Sequence, residues 1–337
     1  MRRVFLLLAG SVLLLAGSVF LGGCSCGFDC NNDDSRGTTT LTLGFSDALP
    51  EDLKQVVIEV DSVTFRRTGV EDVVVDSFTI PALGLTSVDT FQVDLLRYRG
   101  RNQLVVITDL ELESGTYSQV QIAVLGGDVN RSYVQQADDS LRALGVSGGV
   151  LTLPGPVFAR GEQAYTVEFS LAQSLQEELP DERYLMTTEG IRLENNATAA
   201  SLSGRVDSSL FDSVSPCDGK LDPTQGNRLY LYEGLPESAR RLGDVFTSNS
   251  STTVPSDVVA PFAVASLVQN ALTANWEYVF GFLPAGDYTL AFACNTAADD
   301  PVNFDDLVVP QPEAQVYPVT LTEGAAKVCD VTASGSC

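Results

Sequence analysis

The sequence predicts an all-β protein of two β-sandwich domains with few short helices, preceded by a leader that is cleaved. Most apolar residues fall in short runs rich in Val, Ile, Thr, Tyr and Phe, bounded by Gly, Pro, Asp or Asn, which is the pattern of β-strands. Helical spacing is scarce, so a βαβ fold is not indicated. The 337 residues, 44% of them hydrophobic, suffice for two domains with cores.

The first strand is expected to begin at Thr38, where TTTLTLGF alternates through Leu41, Leu43 and Phe45. A period of two places these side chains on one face of a strand. The further strands expected in the first domain are QVVIEVDSVTF, VEDVVVDSFTI, DTFQVDLL, LVVITDLEL, YSQVQIAVL, GVLTLPG, AYTVEFSL and YLMTTEGIRL.

Two segments of the first domain predict helices. In YVQQADDSLRAL, Val134, Ala137, Leu141 and Leu144 have helical spacing, which predicts one short amphipathic helix. The segment LAQSLQEEL, residues 171–179, predicts a second helical turn before the proline that follows.

A domain boundary is predicted near residue 197, because ENNATAA, residues 194–200, is polar and lacks an apolar period. We therefore expect one domain over residues 38–196 and another over residues 197–337. The strands expected in the second domain are SLSGRVD, RLYLYEG, WEYVFGFLP, YTLAFAC, DDLVVP and VYPVTLT.

Both domains contain a Gly-x-Tyr turn before an alternating strand, in ESGTYSQVQIAV (113–124) and LPAGDYTLAFAC (283–294). Glycine permits the tight turn. We expect the rings of Tyr117 and Tyr288 to cover the core and their hydroxyls to reach the backbone. Since nothing else aligns, we interpret the pattern as a recurrent device of β-sandwiches and not as a duplication.

Residues 1–23 have the features of a secretory signal peptide, since Arg2 and Arg3 precede the apolar run VFLLLAGSVLLLAGSVF. The acidic segment after them predicts a flexible tether over residues 24–37. No later segment has 18 successive apolar residues, so no later membrane-spanning helix is expected.

Composition excludes several classes of function. Removal of the leader with its two arginines leaves 18 of the 20 basic residues beside 44 acidic ones and changes the net charge from −24 to −26, which repels nucleic acid. The chain has no histidine, so Ser-His-Asp and Cys-His catalysis and histidine-ligated metals are excluded. The segment GVSGG has nucleophile-elbow spacing, but without a histidine base we interpret Ser147 as a turn residue.

Seven cysteines in an exported chain are expected to be mostly oxidised. If Cys24 has the separate role described below, six remain, and six allow 15 pairings. Proximity and position favour three pairs, which are Cys26–Cys30, Cys217–Cys294 and Cys329–Cys337. A thiolate metal cluster is the alternative use of these sulfurs.

Calcium is the one cofactor for which the sequence offers candidates, the carboxylates of one acidic loop. These are Asp299, Asp300, Asp305 and Asp306. Calcium prefers several oxygen ligands, but the loop does not match the D-x-[DN]-x-[DN]-G pattern, and a solvated loop is the simpler interpretation. Trp276, the only tryptophan, is interpreted as core packing, with a sugar-binding platform as the alternative.

LGGC, residues 21–24, resembles the bacterial lipobox. In that family the signal peptidase cuts before the cysteine, here Cys24, whose sulfur carries diacylglycerol and whose amine is acylated. Three acyl chains exceed the two signals that stable anchoring requires. Ser25 follows where aspartate signals inner-membrane retention in many Gram-negative bacteria. The resemblance therefore implies an outer-membrane lipoprotein of the cell envelope, on its periplasmic or surface-exposed face.

Residues 40–194 resemble domain-of-unknown-function family 4382, which is found in bacterial lipoproteins. The chain differs from the family pattern at residues 47–50, where D-A-L-P replaces D-A-P, and at Thr187 and Thr188, where K-P is common. The family has no assigned activity, so no catalytic residue is implied. The segments that carry the resemblance are TLTLGFSDALPEDLKQVVIEVDSVTF, FQVDLLRYRG, LESGTYSQVQIAV, VEFSLAQSL and RYLMTTEGIRL.

Residues 199–322 resemble the carboxypeptidase-regulatory-like, transthyretin-type sandwich through SLSGRVD, RLYLYEG and FGFLPAGDYTLAFAC. Modules of that type are usually accessory or adhesive, so the resemblance implies a fold more than a function. The insertion over residues 235–270 is not typical of them and is interpreted as a mobile loop.

We expect a non-catalytic binding or scaffolding protein that is held at the membrane through Cys24, with an envelope protein or carbohydrate as ligand and no nucleic acid. One alternative is a glycan-active envelope enzyme that uses two carboxylates and needs no histidine. It requires two acids in one cleft, one with a raised pKa. The other alternative is a calcium-stabilised adhesin, which requires the four aspartates to converge.

Overall fold

In a computed structural model of the protein, the described residues are 37–48, 53–178, 182–235 and 240–334. They form an all-β sandwich fold, as the sequence predicts. The first sandwich consists of β1 (Thr38–Ala48), β2 (Leu53–Arg66), β3 (Val73–Val75), β4 (Phe78–Ile80), β5 (Leu85–Val88), β6 (Phe91–Asp94), β7 (Leu104–Glu113), β8 (Gly115–Thr116), β9 (Gln119–Val124), β10 (Tyr133–Gln136), β11 (Leu141–Val146), β12 (Val150–Pro154), β13 (Val157–Phe158), β14 (Gly161–Ser170), helix α1 (Leu171–Ser174), β15 (Leu175–Glu178), β16 (Arg183–Met186) and β17 (Arg192–Asn195).

Two sheets enclose the core of the first sandwich. The smaller has the strand order β17-β14-β1-β7, with β1 parallel to β14 and antiparallel to β7. The larger has the order β12-β9-β2-β10-β11-β16-β15, and β3 and β6 also pair with β2. Leu41, Leu43 and Phe45 of β1 are buried in this core, which confirms the face predicted from their alternation.

The second sandwich has its own pair of sheets, with the orders β23-β24-β18-β27 and β22-β19-β25-β26. Its core contains Leu202, Phe280, Leu290 and Tyr317. The elements are β18 (Ala200–Val206), helix α2 (Ser209–Asp212), β19 (Arg228–Glu233), β20 (Arg241–Leu242), β21 (Val258–Val259), β22 (Ala263–Ser266), β23 (Val268–Gln269), β24 (Trp276–Leu283), β25 (Gly286–Ala293), β26 (Val316–Leu321) and β27 (Ala326–Val328).

The described part of the insertion packs against the second sandwich. Val245 contributes to a third apolar cluster, together with Tyr230 and Tyr232 of β19 and Val309. Tyr230 and Tyr232 lie on the face of β19 that points away from the sandwich core, and Val245 and Val309 cover that face. The insertion therefore supplies a layer of structure that its irregular sequence did not indicate.

From Gly37 onward the described residues form one compact unit in which the two sandwiches touch. The main apolar clusters of the two sandwiches are separate, and the change from one to the other falls between β17 and β18. The third cluster also contains Ala172 of α1, so it joins the two sandwiches. The predicted division into two domains near residue 197 stays a prediction.

The helix predicted from the spacing of Val134 and Leu144 is wrong. The segment forms the antiparallel pair β10 and β11, and β10 also pairs with β2. Asp138 accepts a hydrogen bond from the backbone N–H of Ser140 at 2.9 Å, and Asp139 has a φ of 70°, so two aspartates make the turn. Pairing with the sheet satisfies backbone groups along both strands and overrides a helical spacing of few residues.

Two other expectations need correction. The predicted helical turn at residue 171 exists as α1, but residues 175–178 then form strand β15 instead of continuing the helix. DDLVVP, residues 305–310, forms no strand and contributes one isolated bridge, between Val309 and Leu242. Ser147 begins a short 3-10 turn, in agreement with its interpretation as a turn residue.

The two Gly-x-Tyr turns behave alike, as predicted. The Tyr117 hydroxyl donates to the carbonyl oxygen of Glu113 at 3.0 Å, and the Tyr288 hydroxyl donates to that of Pro284 at 2.9 Å. Both rings are buried in the core of their own sandwich. Each tyrosine thus ties the residue four positions earlier to the start of its strand.

Candidate functional site

A cleft lies where the first sandwich meets the outer face of the second. Its volume is about 530 Å³, within the range of small-molecule sites. The first sandwich contributes Asp47 at the end of β1 and Arg99, whose Nε donates to the carbonyl oxygen of Leu96 at 2.8 Å. The charged and amide side chains that the second sandwich contributes are Arg205, Asn270, Glu277 and Asp330.

These side chains face the cleft because successive residues of a strand point to opposite faces of a sheet. In β18, Leu202 is buried in the core, whereas Ser203 and Arg205 line the cleft. In β24, Phe280 is in the core and Val279 lines the cleft. The same alternation that builds the second core therefore also builds one wall of the site.

Hydrogen bonds hold the polar groups of the cleft in place. Asp330 Oδ1 accepts from the backbone N–H of Arg205 at 2.9 Å, and its Oδ2 accepts from Arg205 Nη2 at 3.2 Å. Asn270 Nδ2 donates to both carboxyl oxygens of Glu277, at 3.2 and 3.1 Å. Ser266 is 5% exposed, and its Oγ has no hydrogen-bond partner among the described residues. The wall thus presents oriented charges and one hydroxyl that a ligand can satisfy.

Beside the cleft, backbone atoms of the first sandwich lie close to backbone atoms of the second. A Cβ atom on Gly281 would lie 1.8 Å from the carbonyl oxygen of Gly100, and one on Gly100 would lie 2.8 Å from a methyl carbon of Val279. Gly100 also has a φ of 62°, which favours glycine. Glycine at both positions is therefore what permits this close approach.

A larger groove of about 770 Å³ lies on another part of the second sandwich, over Val316 and Pro318 of β26. Val308 and Leu235, which also line it, are 63% and 61% exposed. All of its walls come from one sandwich and its insertion. The cleft is the better candidate because it combines fixed polar groups from both sandwiches.

The cleft is suited to binding more than to acid–base catalysis. Burial raises the pKa of Glu168 to about 7 and that of Asp244 to about 6, but neither side chain lines the cleft. The chain has no histidine that could act as a base. The groups at hand are arginines, carboxylates, an amide and aliphatic side chains, which together bind a polar ligand with apolar faces.

The disulfide between Cys217 and Cys294 is present, with its Cα atoms 5.9 Å apart, and it is the pair that the sequence analysis preferred. Cys329 is also disulfide-bonded, and its predicted partner, Cys337, lies outside the described residues. The other predicted sites, Cys24, Cys26 and Cys30, lie outside them too.

The four aspartates considered for calcium have protein partners. Asp299 Oδ2 accepts from Arg228 Nη1 and from the Tyr230 hydroxyl, both at 2.7 Å. Asp306 pairs with Arg241 at 2.7 Å, and the other two accept hydrogen bonds within their own loop. Within the described part of the chain, no three Asp, Glu or Cys side chains come together as a metal site. The four residues in question are Asp299, Asp300, Asp305 and Asp306.

Trp276 lies half-buried at the start of β24, where its ring meets that of Phe211 edge to face at 5.6 Å. This agrees with the core-packing interpretation. The cleft residues Arg99, Arg205 and Asp330 were not singled out from the sequence. Their one local signal is polar residues at outward positions of strands, which most solvent-facing strands share.

None of the helices in the described ranges is long and apolar enough to cross a membrane. A search among curated proteins finds no match. The second resemblance, to a transthyretin-type sandwich over residues 199–322, stays a prediction.

Several solved structures are similar in part. They include a leucine-rich repeat protein from Bacteroides thetaiotaomicron (12% identity, TM-score 0.19, 88% of this chain and 26% of that one). Others are the pilus backbone RrgB from Streptococcus pneumoniae (12%, 0.20, 89% and 65%) and a fimbrial protein from Bacteroides ovatus (10%, 0.18, 88% and 49%). The chain spans about a quarter of the length of the first, and at these TM-scores the likeness carries no conclusion.

One protein-family model matches most of the first sandwich. The resemblance to family 4382 is predicted over residues 40–194. The match extends from Thr38, the first residue of β1, to Thr188, between β16 and β17. Residues 38–188 thus match the model of the family described as Domain of unknown function (DUF4382), over less than half of the chain.

Proposed function

We propose that the protein is a lipid-anchored component of the bacterial cell envelope with a non-catalytic binding role, and that the cleft between the sandwiches is its binding site. The observation that carries the binding role is the junction of Arg99 and Asp47 from one sandwich with Arg205 and Asp330 from the other in one cavity. A cavity built from two bodies is a common place for ligands.

The composition of the cleft favours a polyhydroxylated ligand such as an envelope glycan. Hydroxyl groups accept hydrogen bonds from the guanidinium of Arg205 and donate to the carboxylates of Asp330 and Glu277. Val268 and Val279 offer aliphatic surface on which the C–H faces of a sugar can pack. Charges of both signs in one cleft suit neutral hydroxyls better than a strongly charged polymer, which one of the two signs would repel.

The anchor is supported by the sequence, through Arg2, Arg3, the apolar run and the lipobox-like LGGC that ends at Cys24. We propose the outer membrane as its location. The tether over residues 24–37 would hold the first sandwich beside the membrane.

The anchor is tested by labelling growing cells with palmitate. The wild-type chain should take up the label and the Cys24→Ser variant should not. Cys26→Ser is the matched control, because it removes a neighbouring sulfur and should leave labelling unchanged. Equal labelling of the wild type and Cys24→Ser would refute the anchor.

The cleft is tested by binding of solubilised envelope glycans to the purified full chain. Arg205→Ala should weaken binding about tenfold or more, since a hydrogen bond with a charged group contributes about 1.5–3 kcal/mol. Arg142→Ala is the control, because Arg142 pairs with Glu182 far along the first sandwich. Equal binding by Arg205→Ala would exclude the cleft, and shortened glycan products would contradict a non-catalytic role.

A further inference from the structure

The smaller sheet of the first sandwich has a polar outer face at the junction. In β14, Val167 and Phe169 belong to the core of the first sandwich. The residues that alternate with them, Thr166, Glu168 and Ser170, therefore point to the opposite face, and all three are buried. That face is covered by β22 and β24 of the second sandwich.

Strand register places Glu168 in the middle of this face. It pairs with Ser46 of β1 on one side and with Arg192 of β17 on the other. The guanidinium of Arg192 lies over the ring of Phe262, 4.8 Å from its centroid, and Gln173 Nε2 donates to the carbonyl oxygen of Pro261 at 3.2 Å. Both partners belong to the second sandwich, so this face is part of the contact between the two bodies.

Glu168 is 1% exposed, and neither of its carboxyl oxygens has a hydrogen-bond partner among the described residues. The Ser46 hydroxyl, beside it in register, is directed at the carbonyl oxygens of Gly100 and Tyr98 at 3.3 and 3.4 Å. Arg192 forms its ion pair with Glu194, at 3.4 Å. An ionised carboxylate in this position would be buried without compensation, which is costly.

The other ionisable groups around Glu168 do not remove this cost. Arg192 shares its charge with Glu194, and a second acid nearby disfavours ionisation. Glu277 of β24 faces the cleft and accepts from Asn270. Strand β22 and helix α1 carry no ionisable side chain. Besides Glu168, the ionisable groups on β1, β14, β17 and β24 are Asp47, Glu162, Tyr165, Arg192, Glu194, Glu277 and Tyr278.

We propose that the junction is a proton-controlled joint, closed while Glu168 carries a proton and loosened when Glu168 ionises, and that it thereby regulates access to the cleft. The regulatory part rests on the proposed binding role of the cleft. Few residues separate Glu168 from the cleft. Ser46, its neighbour in register, contacts Gly100 at the close approach to Gly281. Asp47, the next residue of β1, lines the cleft. Movement of this face therefore moves one wall of the cleft.

The direction of the pH effect follows from linkage. Burial raises the pKa of Glu168 from 4.5 to about 7, with Arg192 and the Ser46 hydroxyl acting in the opposite direction. The closed form therefore binds the proton more tightly than an open form in which water reaches the carboxyl group. Closure is most favoured below pH 4.5 and weakens as the pH rises to 7. Between pH 4.5 and pH 7 the open fraction rises by up to about tenfold for each pH unit. The total increase is therefore up to about 300-fold.

Hydrogen exchange of backbone amides in the purified full chain at pH 5 and pH 8 tests the joint. Rates are corrected for the intrinsic effect of pH. Amides at the junction, in residues 97–102 and 278–283, should lose protection at pH 8 by up to about 70-fold, because pH 5 already lies above the pKa of 4.5 in the open form. Strand β9 is the internal reference, because it pairs on both sides inside the first sandwich and should keep its protection.

Glu168→Gln is the decisive variant, since it keeps the shape of the protonated side chain and cannot ionise. Its junction should stay protected at both values of pH. Glu162→Gln, on the exposed end of the same strand, should behave like the wild type. If Glu168→Gln fails to fold, the second measurement is the infrared carbonyl band of a protonated carboxylic acid at pH 6. It is recorded in the wild type and in Asp244→Asn, because the pKa of Asp244 is also raised, to about 6, and its band must be separated from that of Glu168.

Two results would overturn the joint: equal junction protection of the wild type at both values of pH, or the same loss of protection in Glu168→Gln. Absence of the infrared band would also overturn it. The exchange experiment needs no ligand, so it is independent of the proposed function. If the junction opens at pH 8 but no glycan binds, the proton-controlled joint is confirmed and the proposed role of the cleft is refuted.

Discussion

Two of the buried acids, Asp299 and Glu168, differ in how their surroundings treat a negative charge. Asp299, inside the second sandwich, accepts hydrogen bonds from Arg228 and Tyr230 at 2.7 Å each. Glu168, at the junction, is equally buried, but Arg192 beside it is paired with Glu194. Asp299 thus has a cation and a hydroxyl as direct partners, whereas the carboxyl oxygens of Glu168 have no hydrogen-bond partner among the described residues.

This difference separates the second sandwich, where the charge of Asp299 has direct partners, from the junction, whose proposed closure depends on a proton. The second sandwich is also closed by the disulfide between Cys217 and Cys294, which are 77 positions apart in sequence. The junction has no such bond among the described residues, and polar side chains such as Thr166, Glu168 and Ser170 form part of its surface. Polar contacts between bodies are typical of interfaces that move.

The largest expected effect comes from breaking the compensated site. Arg228→Met leaves Asp299 buried without its cation and should lower the free energy of unfolding by about 3–5 kcal/mol, measured by urea denaturation. The double variant Arg228→Met with Asp299→Asn removes the stranded charge and should recover much of the loss. A single variant within about 1 kcal/mol of the wild type would contradict the account of this pair.

A smaller effect is expected from adding one carbon at the junction. Gly281→Ala places a Cβ against the carbonyl oxygen of Gly100 and should cost about 1–3 kcal/mol through overpacking. Gly219→Ala is the control, because a Cβ there meets no atom within 4 Å, and surface changes of this kind stay within about 0.5 kcal/mol. If both variants unfold at the same urea concentration, the backbone does not approach as closely as described.

The smallest effect is expected at the tyrosine turns, which occur once in each sandwich. Tyr117→Phe and Tyr288→Phe each remove one hydroxyl-to-carbonyl hydrogen bond and should each lower the free energy of unfolding by about 1 kcal/mol. The two losses should be similar and should add in the double variant, because the sites lie in separate cores. A cost confined to one turn would show that the two turns are not equivalent.

Sequence reasoning worked best where a pattern repeats over several residues. The alternation of Leu41, Leu43 and Phe45 predicted a buried face, and the Gly-x-Tyr pattern predicted the bonding of Tyr117 and Tyr288. It failed over residues 133–144, where four apolar positions fit a helix, whereas pairing with β2 and between β10 and β11 makes the segment a hairpin. Four apolar residues fit a helical period only ambiguously. The backbone hydrogen bonds that a neighbouring strand offers therefore decide the structure.

The cleft could not be predicted in the same way. Arg99 and Arg205 are over 100 positions apart, and each alone is an ordinary charged residue on a strand or loop. Glu168 even has the appearance of a solvent-facing residue, since it alternates with Val167 and Phe169. A second body covers that face, and no local pattern records what will lie on top of a sheet.

The sequence by itself therefore determined the all-β class, the buried faces of its strands and the match of residues 38–188 to a family model. These features depend on short-range periodicity and composition. The tertiary structure decided which outward-facing residues meet. It placed Arg99 beside Arg205 and Asp330 in a cleft, and it turned Glu168 from an apparent surface acid into a buried one. The physical reason is that desolvation depends on what covers a side chain, and the cover comes from residues far away in the chain.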